Sequence, residues 1–342
     1  MKTITQKNKP DIVCSVLVIC TVLLIMAACP VFSASAPFVP PSGKTLLLVG
    51  QDRDTIAGYV RATGNTPGGT MMYSSIQKME GLKSPSDLGS GPMDGDALLR
   101  VYPNSVVQIG LYMVDALDDT IAGTYDANLK TLAQWLKKAD RPVYLRIGYE
   151  FDNPLNHYDP QKYKRAFRYV VDFLRKEGVN NAAWVWHSYC WGDKSAFQWI
   201  DWYPGDDYVD WFAASMFAMP SGLWRTSDFV KLAREHHKPF MIAESTPWGM
   251  YTVQGKIDFL NHLFRFIRDW NIEAFCYIDS NWDVMPMFKG QHIGDDRIEE
   301  NADTKNFWLK EISSERYLKA SPGLFRLRLL IPENHRINNT NN

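Results

Sequence analysis

Short apolar segments of strand length recur at regular intervals along the chain, beyond its N-terminal region. Most of the gaps between them contain apolar residues spaced three and four apart, which is the pattern of an amphipathic helix. The pattern therefore predicts eight β-strands that alternate with helices. The segments are TLLLVG at 45–50, GTMMYS at 69–74, VVQIGLYM at 106–113, PVYLRIGY at 142–149, AAWVWHSY at 182–189, DWFAASMF at 210–217, PFMIAE at 239–244 and EAFCYI at 273–278.

Two of the intervening helices are especially clear in the sequence. The stretch DPQKYKRAFRYVVDFLRKEG begins with Asp159, a candidate N-cap, has Pro160 in its first turn and ends at Gly178. A second helix is predicted around 254–270. The apolar residues that share one helical face are Tyr163, Phe167, Val170, Val171 and Leu174 in the first, and Phe259, Leu260, Leu263, Phe264 and Ile267 in the second.

This alternation predicts an α/β fold, a single (β/α)8 TIM barrel, because eight strands and their helices over about 280 residues match that fold. A doubly wound sheet is the rival architecture, but no GxGxxG or GxxxxGK[ST] motif follows any of the strands. No linker or low-complexity stretch interrupts 45–320. We therefore predict one domain over 37–320, followed by a tail at 321–342 that packs only in part.

Residues 1–36 have the layout of a secretory leader, in which lysines precede the apolar run IVCSVLVICTVLLIMAAC and the small residues SASA. Cleavage after Ala36 fits the usual pattern, although Pro37 follows directly. The stretch IMAAC resembles a lipoprotein box ending in Cys29. Retention as a membrane anchor is a third outcome, since about 20 apolar residues can span a bilayer. Cleavage, lipidation and retention all place the folded domain outside the cytoplasm, where it is either secreted or attached to the cell surface.

Composition excludes several classes of partner and site. A net charge of −1 gives no indication of a nucleic-acid partner. Outside the leader only Cys190 and Cys276 remain of five cysteines, too few for a disulfide scaffold, and no CxxC or HExxH motif supports a metal site. Twelve Trp and sixteen Tyr fit a large core or, as the less favoured interpretation, a cleft that covers the apolar faces of sugars.

Two of the predicted strands end in glutamate, with Glu150 closing the fourth and Glu244 the seventh. In a parallel barrel the carboxyl ends of the strands form the active site. Strand alternation places Arg146 on the inward face with Glu150, and places Phe240 and Ile242 on the inward face with Glu244. A cation at position 146 can hold a neighbouring carboxylate in its ionised form.

Two carboxyl groups at one barrel mouth are what retaining glycoside hydrolysis requires, since one donates a proton to the leaving oxygen and the other attacks the anomeric carbon. A single glutamate at a strand end is more often a solvated loop residue. Two of them, on the fourth and seventh of eight strands, favour the catalytic interpretation. No cofactor is expected, because proton transfer and carboxylate attack suffice.

This pairing resembles that of the large barrel clan of retaining glycosidases, and within the clan the chain is similar to glycoside hydrolase family 26, whose members include β-mannanases and β-1,3-xylanases. The stretch RPVYLRIGYEFD resembles the fourth strand of that family, and WYPGDDYVDWF at 202–212 and GDDRIEEN at 294–301 are also similar. The resemblance implies Glu150 as the acid/base, Glu244 as the nucleophile and Trp282 as the aromatic floor beneath the cleaved sugar.

Two positions depart from the family pattern. Tyr149 stands immediately before the acid/base, where the family has histidine. The tyrosine that the clan brings to the nucleophile from its sixth strand is not evident, because AASMF ends in Phe217. Both positions surround the reacting sugar, so they affect the expected substrate more than the reaction class.

Other residues near strand ends are candidates for substrate binding. Arg146 and Tyr149 flank the acid/base, and His187 either hydrogen-bonds a substrate hydroxyl or Glu150 or is packed in the core. Asp52 either binds a distal sugar or caps the helix that starts near Thr55. Four tryptophans at or beyond strand ends are candidates for stacking against sugars, although each alone is more typical of core or rim packing; they are Trp186, Trp191, Trp224 and Trp248.

The sequence thus predicts a secreted or surface-anchored, monomeric, retaining endo-β-glycosidase whose partner is a polysaccharide or oligosaccharide. Mannan is the first expected substrate, and β-1,3-xylan or another β-linked matrix or algal glycan is the second. The alternative from a different class is a non-catalytic glycan-binding barrel, in which the carboxylates only hydrogen-bond sugar.

Overall fold

Eight parallel strands close into a barrel in the computed structural model, which describes residues 36–192, 198–217 and 224–325. Each strand pairs with the next along the chain, and the last returns to the first, with Leu46 opposite Ala274. The predicted (β/α)8 barrel and the positions of its strands are confirmed. The strands are β1 Thr45–Gly50, β2 Gly69–Ser75, β3 Val106–Tyr112, β4 Val143–Ile147, β5 Ala182–Ser188, β6 Trp211–Met216, β7 Phe240–Ser245 and β8 Ala274–Ile278.

Helices surround the barrel and follow most of its strands. The two helices expected from sequence are present, and the Asp159 side chain caps the first by accepting from the backbone N–H groups of Gln161 and Lys162. In the described part of the β5–β6 connection the only helical segment is the 3-10 turn Trp199–Trp202. The α-helices are α1 Arg53–Thr63, α2 Gly95–Val101, α3 Leu117–Ile121, α4 Asp126–Ala139, α5 Pro160–Lys176, α6 Thr226–Glu235, α7 Val253–Asp269 and α8 Ala302–Ile312.

The amino-terminal end of the barrel is closed by the residues that precede β1. The Tyr144 hydroxyl donates to the carbonyl of Phe38 at 2.7 Å, and the Trp211 indole N–H donates to the carbonyl of Pro37 at 2.8 Å. The Phe38 ring is buried against Tyr144 at a centroid distance of 6.3 Å. This end is therefore a packed base, which leaves the opposite mouth for chemistry.

Beyond the eight strands, the chain adds two short pairings and a packed end. Tyr317–Leu318 lies parallel to β1, and Ser86–Asp87 pairs antiparallel with Pro92–Met93. Leu324 and Phe325, at the start of the predicted tail, are buried. The proposed tail thus begins with residues that pack on the barrel, while 326–342 lie outside the described residues.

The seventh strand contains a bulge that simple alternation did not predict. On β6, the consecutive residues Ala214 and Ser215 pair with Ile242 and Glu244, so Ala243 is an extra residue between the two pairs. The register with β8 shifts over the same stretch, between Ile242 and Ser245. Phe240 packs against Phe229 of α6 at 5.9 Å, which shows that it faces the helices. The expected inward position of Phe240, and of Ile242 on the same face, is therefore wrong. The bulge reverses the alternation and turns Glu244 inward.

The predicted leader lies outside the described ranges. Within 36–192, 198–217 and 224–325, no helix has the length and apolar character needed to cross a membrane.

Candidate active site

Glu150 lies in a turn just beyond β4, which ends at Ile147. Its φ of 49° is in the left-handed region, an uncommon conformation for a residue with a side chain, so the surrounding structure must hold it in place. The backbone N–H of Phe151 donates to the carbonyl of His187 at 3.1 Å, and the Asn156 amide donates to the carbonyl of Glu150 at 2.9 Å. These bonds fix the turn that aims the Glu150 carboxyl into the mouth.

The Glu150 carboxyl accepts a hydrogen bond on each oxygen. The Ser215 hydroxyl donates to Oε1 at 2.5 Å, and the Asn153 amide donates to Oε2 at 2.9 Å. The residue is only 8% exposed. Burial, and next the charge of Glu244, raise the pKa of Glu150 to about 8. At neutral pH Glu150 therefore carries a proton, which is the state that a general acid requires.

Glu244 is held as the partner of a buried arginine. The Arg146 guanidinium is completely buried and donates from Nη1 to Glu244 Oε1, while Glu244 is 5% exposed. A buried guanidinium needs an anionic partner, because an unpaired charge in the interior is strongly destabilising. The pair therefore maintains Glu244 as a carboxylate, the state that a nucleophile requires.

A glycine makes room for this ion pair. A Cβ at Gly110 of β3 would lie 2.6 Å from the Tyr73 ring and 2.8 Å from Nη2 of Arg146, which are impossible contacts. Tyr73, on β2, lies 5.3 Å from the guanidinium and close to Glu244. Burial and the Glu244 carboxylate raise the pKa of Tyr73, so it is present as a neutral phenol beside the nucleophile candidate.

Tyr149 forms part of the same wall. It is half-buried, with its ring 5.3 Å from Tyr73, stacked on His187 at 6.4 Å and 5.2 Å from the Arg146 guanidinium. Burial and the charge of Glu244 raise its pKa. The tyrosines that face Glu244 thus come from β2 and from the turn after β4. The clan pattern places a tyrosine on the sixth strand, whereas here Tyr73 approaches Glu244 from β2, and its inward position follows from alternation with Met71.

Two predicted substrate-binding residues, Arg146 and His187, lie beneath the carboxyl groups and do not line the mouth. Both are fully buried. His187 contacts Arg146 through Nδ1 at 3.2 Å and Ser215 through Nε2 at 3.1 Å, and neither bond involves Glu150 directly. The expectation that they touch sugar is corrected, because their contacts are with protein groups below the site. Ser215 was not singled out from sequence, since a single serine in an apolar strand carries no distinctive pattern.

Trp186 does not belong to the mouth either. It is fully buried on the outer face of β5, stacked on Phe151 at 4.6 Å and packed against Phe229 of α6 at 5.1 Å. Its predicted stacking role is wrong, because the side chain points into the layer between strands and helices.

Asp52 serves as the cap of α1. Its carboxylate accepts from the backbone N–H groups of Asp54 and Thr55 and from the Thr55 hydroxyl. It is 1% exposed and lies directly under Gly91, where a Cβ would approach its carboxyl carbon to 2.5 Å. The capping alternative is therefore confirmed. Gly91 covers the Asp52 carboxylate, so this carboxylate does not contact a distal sugar directly.

The remaining aromatic candidates form two groups near the strand ends. Trp282 is 2% exposed, donates to Asp296 at 2.9 Å and packs against Trp248 at 5.0 Å. Trp191 is 40% exposed and lies edge-on to Trp224 at 4.8 Å. Trp248 and Trp191 present exposed surface for stacking, while Trp282 is mostly covered by its neighbours, so the substrate roles of all three stay predictions.

The site therefore combines two buried carboxyl groups with contrasting surroundings, one with a raised pKa and one paired with a guanidinium, which is the arrangement that divides acid and nucleophile roles. Among the described residues, no three His, Cys, Asp or Glu side chains are grouped in a way that would hold a metal ion.

Comparisons with known proteins place this site in a family. A sequence profile of glycosyl hydrolase family 26 matches residues 114–283. A β-1,3-xylanase of a Vibrio species is 33% identical over 318 residues, which cover 84% of this chain and 68% of that protein. A β-1,3-xylanase of an Alcaligenes species is 32% identical over 334 residues, which cover 88% of this chain and 70% of that protein.

The solved structure of a family 26 β-mannanase from Bacteroides ovatus shares the fold, with a TM-score of 0.55 and 14% identity. The match covers 81% of this chain and 91% of that one. The chain belongs to glycosyl hydrolase family 26 and is a glycoside hydrolase that acts on O-glycosyl bonds.

Proposed function

We propose that this glycoside hydrolase is an endo-β-1,3-xylanase that acts with retention of anomeric configuration. The observation that carries the mechanism is the contrast between the partners of the two carboxyl groups: Glu150 accepts from the neutral donors Ser215 and Asn153, whereas Glu244 accepts from the Arg146 guanidinium. Glu150 holds its proton because burial and Glu244 raise its pKa to about 8, and Glu244 is held as the anionic partner of Arg146.

In the first step the Glu244 carboxylate attacks the anomeric carbon and the glycosidic C–O bond breaks. The Glu150 proton passes to the departing oxygen, so the leaving sugar departs as an alcohol. The products of this step are a glycosyl ester on Glu244 and an ionised Glu150. The step needs Glu150 protonated and Glu244 ionised at the same pH, and the two environments provide that combination.

In the second step the roles of Glu150 reverse. Esterification removes the negative charge of Glu244, which is one of the two main causes of the raised pKa of Glu150. The hydrogen bonds from Ser215 and Asn153 then stabilise the carboxylate form. Glu150 takes a proton from water as the water oxygen attacks the anomeric carbon, and Glu244 is released as a carboxylate.

The choice of β-1,3-xylan over mannan is supported by the relatives. The sequence alone ranked mannan first. The two β-1,3-xylanases resemble this chain at 33% and 32% identity over most of its length. The mannanase of known structure is 14% identical and supports the fold alone. We therefore place β-1,3-xylan ahead of mannan, with other β-linked matrix or algal glycans behind both.

The proposal is tested by incubating the purified protein with β-1,3-xylan, β-mannan and other β-glycans while proton NMR follows the first anomer released. We expect β-1,3-xylan to be cleaved fastest, internally, and to give the β anomer first, because two displacements restore configuration. An α product would contradict the roles given to the two glutamates. Binding of glycans without any cleavage would support the non-catalytic barrel.

We also propose that the enzyme works outside the cytoplasm. The support is the leader-like pattern of residues 1–36 and the IMAAC stretch. In a bacterial host we expect the mature chain to begin at a lipidated Cys29, and a Cys29→Ser variant to lose the lipid. Mass spectrometry of the intact protein measures both. An unmodified N-terminus at Pro37 would contradict lipidation.

A further inference from the structure

We propose that Arg146, His187 and Ser215 form a one-way hydrogen-bond relay that connects the two catalytic carboxyl groups and determines where Glu150 carries its proton. His187 and Ser215 act in it as positioning residues. The inference rests on the acid/base role proposed above for Glu150.

The relay crosses four neighbouring strands beneath the mouth. Arg146 on β4 donates to Glu244 on β7 and lies 3.2 Å from Nδ1 of His187 on β5. Nε2 of His187 lies 3.1 Å from the Ser215 hydroxyl on β6, and that hydroxyl lies 2.5 Å from Oε1 of Glu150. Ser215 also stands opposite Glu244 in the β6–β7 register. The nucleophile and the acid/base are therefore joined by a continuous path of side chains.

The chemistry of arginine sets the direction of every bond in this path. A guanidinium has donors and no acceptor, so Nδ1 of His187 must be the accepting nitrogen of a neutral ring. Nε2 then carries the hydrogen and donates it to the Ser215 oxygen. The Ser215 hydrogen is left to point at Glu150, which accepts it. The three side chains of the relay are completely buried, which keeps this order fixed.

The protonation of His187 agrees with that direction. Burial, and next the charge of Arg146, lower the pKa of His187 well below its ordinary value. The ring therefore stays neutral across the pH range in which Glu150 titrates. The relay does not reverse when Glu150 changes state.

The consequence for catalysis concerns both states of Glu150. The Ser215 hydrogen occupies one lone pair of Oε1, so the proton that Glu150 delivers is held on a lone pair that Ser215 does not use. The same hydrogen stabilises the carboxylate during the second step. Ser215 thereby opposes the two effects that favour the protonated form, burial and the charge of Glu244.

Other titratable groups also face Glu150, and a change at Ser215 leaves them in place. They are Glu244 on β7, Asp152 and Tyr149 near the end of β4, and Tyr189 and Cys190 after β5. Burial raises the pKa of the two tyrosines and of the cysteine, so these three are neutral at the pH of interest. A shift seen on removing the Ser215 hydroxyl therefore reports on its bond to Glu150, the last bond of the relay.

The test is the pH profile of kcat/KM for Ser215→Ala, which reports the ionisation of the free enzyme. Loss of a donor to the carboxylate favours the protonated form, so we expect the alkaline limb to move upward by about one pH unit. Hydrolysis of the glycosyl-enzyme should slow by up to about tenfold at pH values below the raised pKa, since less of Glu150 is then in the ionised form that serves as base. Ser215→Thr keeps the hydroxyl and should restore both quantities. Thr45→Val removes a buried hydroxyl at the opposite end of the barrel and should leave the profile unchanged.

Two outcomes separate failure of the relay from failure of the proposed function. An unchanged alkaline limb in Ser215→Ala, with Glu150→Ala strongly impaired, would overturn the relay alone. Full activity in Glu150→Ala would overturn the acid/base role itself. Nitrogen-15 NMR of His187 gives an independent readout, for which we expect the neutral ring with hydrogen on Nε2 at and above neutral pH, because its pKa is lowered well below the ordinary value. Hydrogen on Nδ1 would overturn the direction of the relay.

Discussion

Replacing Glu244 with alanine is expected to lower kcat on polysaccharide by on the order of 10⁶-fold, as removal of a covalent nucleophile does elsewhere. The loss should be similar on an activated aryl glycoside, because no leaving group compensates for a missing attacking group. Added azide should restore slow turnover and give an α-glycosyl azide, since azide then attacks from the side that the carboxylate occupied. The rates and the configuration of the azide product are measured by NMR and mass spectrometry.

This substitution also removes the partner of a buried charge, so folding must be measured with activity. Loss of the carboxylate leaves Arg146 unpaired, which costs about 3–5 kcal/mol when one member of a buried ion pair is removed. Glu244→Gln keeps the side-chain volume and one oxygen that Arg146 can donate to, and it should be nearly inactive yet folded. Glu273→Gln loses a carboxylate that pairs with Arg234 at the opposite end of the barrel, and it should retain activity. A Glu244→Gln enzyme within tenfold of the wild type would place the nucleophile elsewhere.

The barrel could be predicted from sequence because its strands are buried on both faces and therefore appear as continuous apolar runs. The strand between Thr45 and Gly50 matches its predicted bounds, and the others differ by one or two residues at one or both ends. Alternation then placed Arg146 inside correctly, since β4 is regular. It failed at β7, because one extra residue at Ala243 reverses the faces and no sequence pattern marks it.

The site was predicted less completely than the fold. Glu150 and Glu244 stand out because they follow apolar strands, whereas their neighbours are defined by contacts between strands that are distant in sequence. Tyr73 reaches Glu244 from β2, and Ser215 reaches Glu150 from β6. A tryptophan near a strand end does not by itself mark a sugar subsite, because Trp186 faces the helices and packs against Phe229. Residue type and strand position identify candidates, and side-chain direction decides among them.

The two carboxyl groups also differ in what each requires from its surroundings. Glu244 needs a permanent positive partner, and Arg146 is suited to that because it stays charged at every relevant pH. Glu150 needs a charge that can change, so its contacts are neutral donors, Ser215 and Asn153. Neutral donors stabilise its carboxylate without preventing protonation. The asymmetry of these partners therefore supports the assignment of acid/base and nucleophile independently of the family.

Replacing Glu150 with alanine should lower activity on polysaccharide by roughly 10²–10⁴-fold, the usual contribution of general acid–base catalysis. The wild-type enzyme should lose activity as the pH rises through about 8, because the raised pKa of Glu150 keeps its acid form present below that value and removes it above. The variant has no such group, so its alkaline limb near that pH should disappear. Glu150→Gln, which keeps the acceptor for Ser215, should show the same flat profile.

The leaving group separates the role of Glu150 from that of Glu244. An activated aryl glycoside departs without a proton, so Glu150→Ala should still form the glycosyl-enzyme readily and accumulate it, because the base for the second step is missing. Azide needs no base and should accelerate turnover of this intermediate, giving a β-glycosyl azide through a second inversion. If Glu150→Ala gave the α azide and Glu244→Ala the β azide, the two assignments would have to be exchanged. The contact between Arg146 and Glu244 would then need another explanation, since an acid cannot be held permanently ionised.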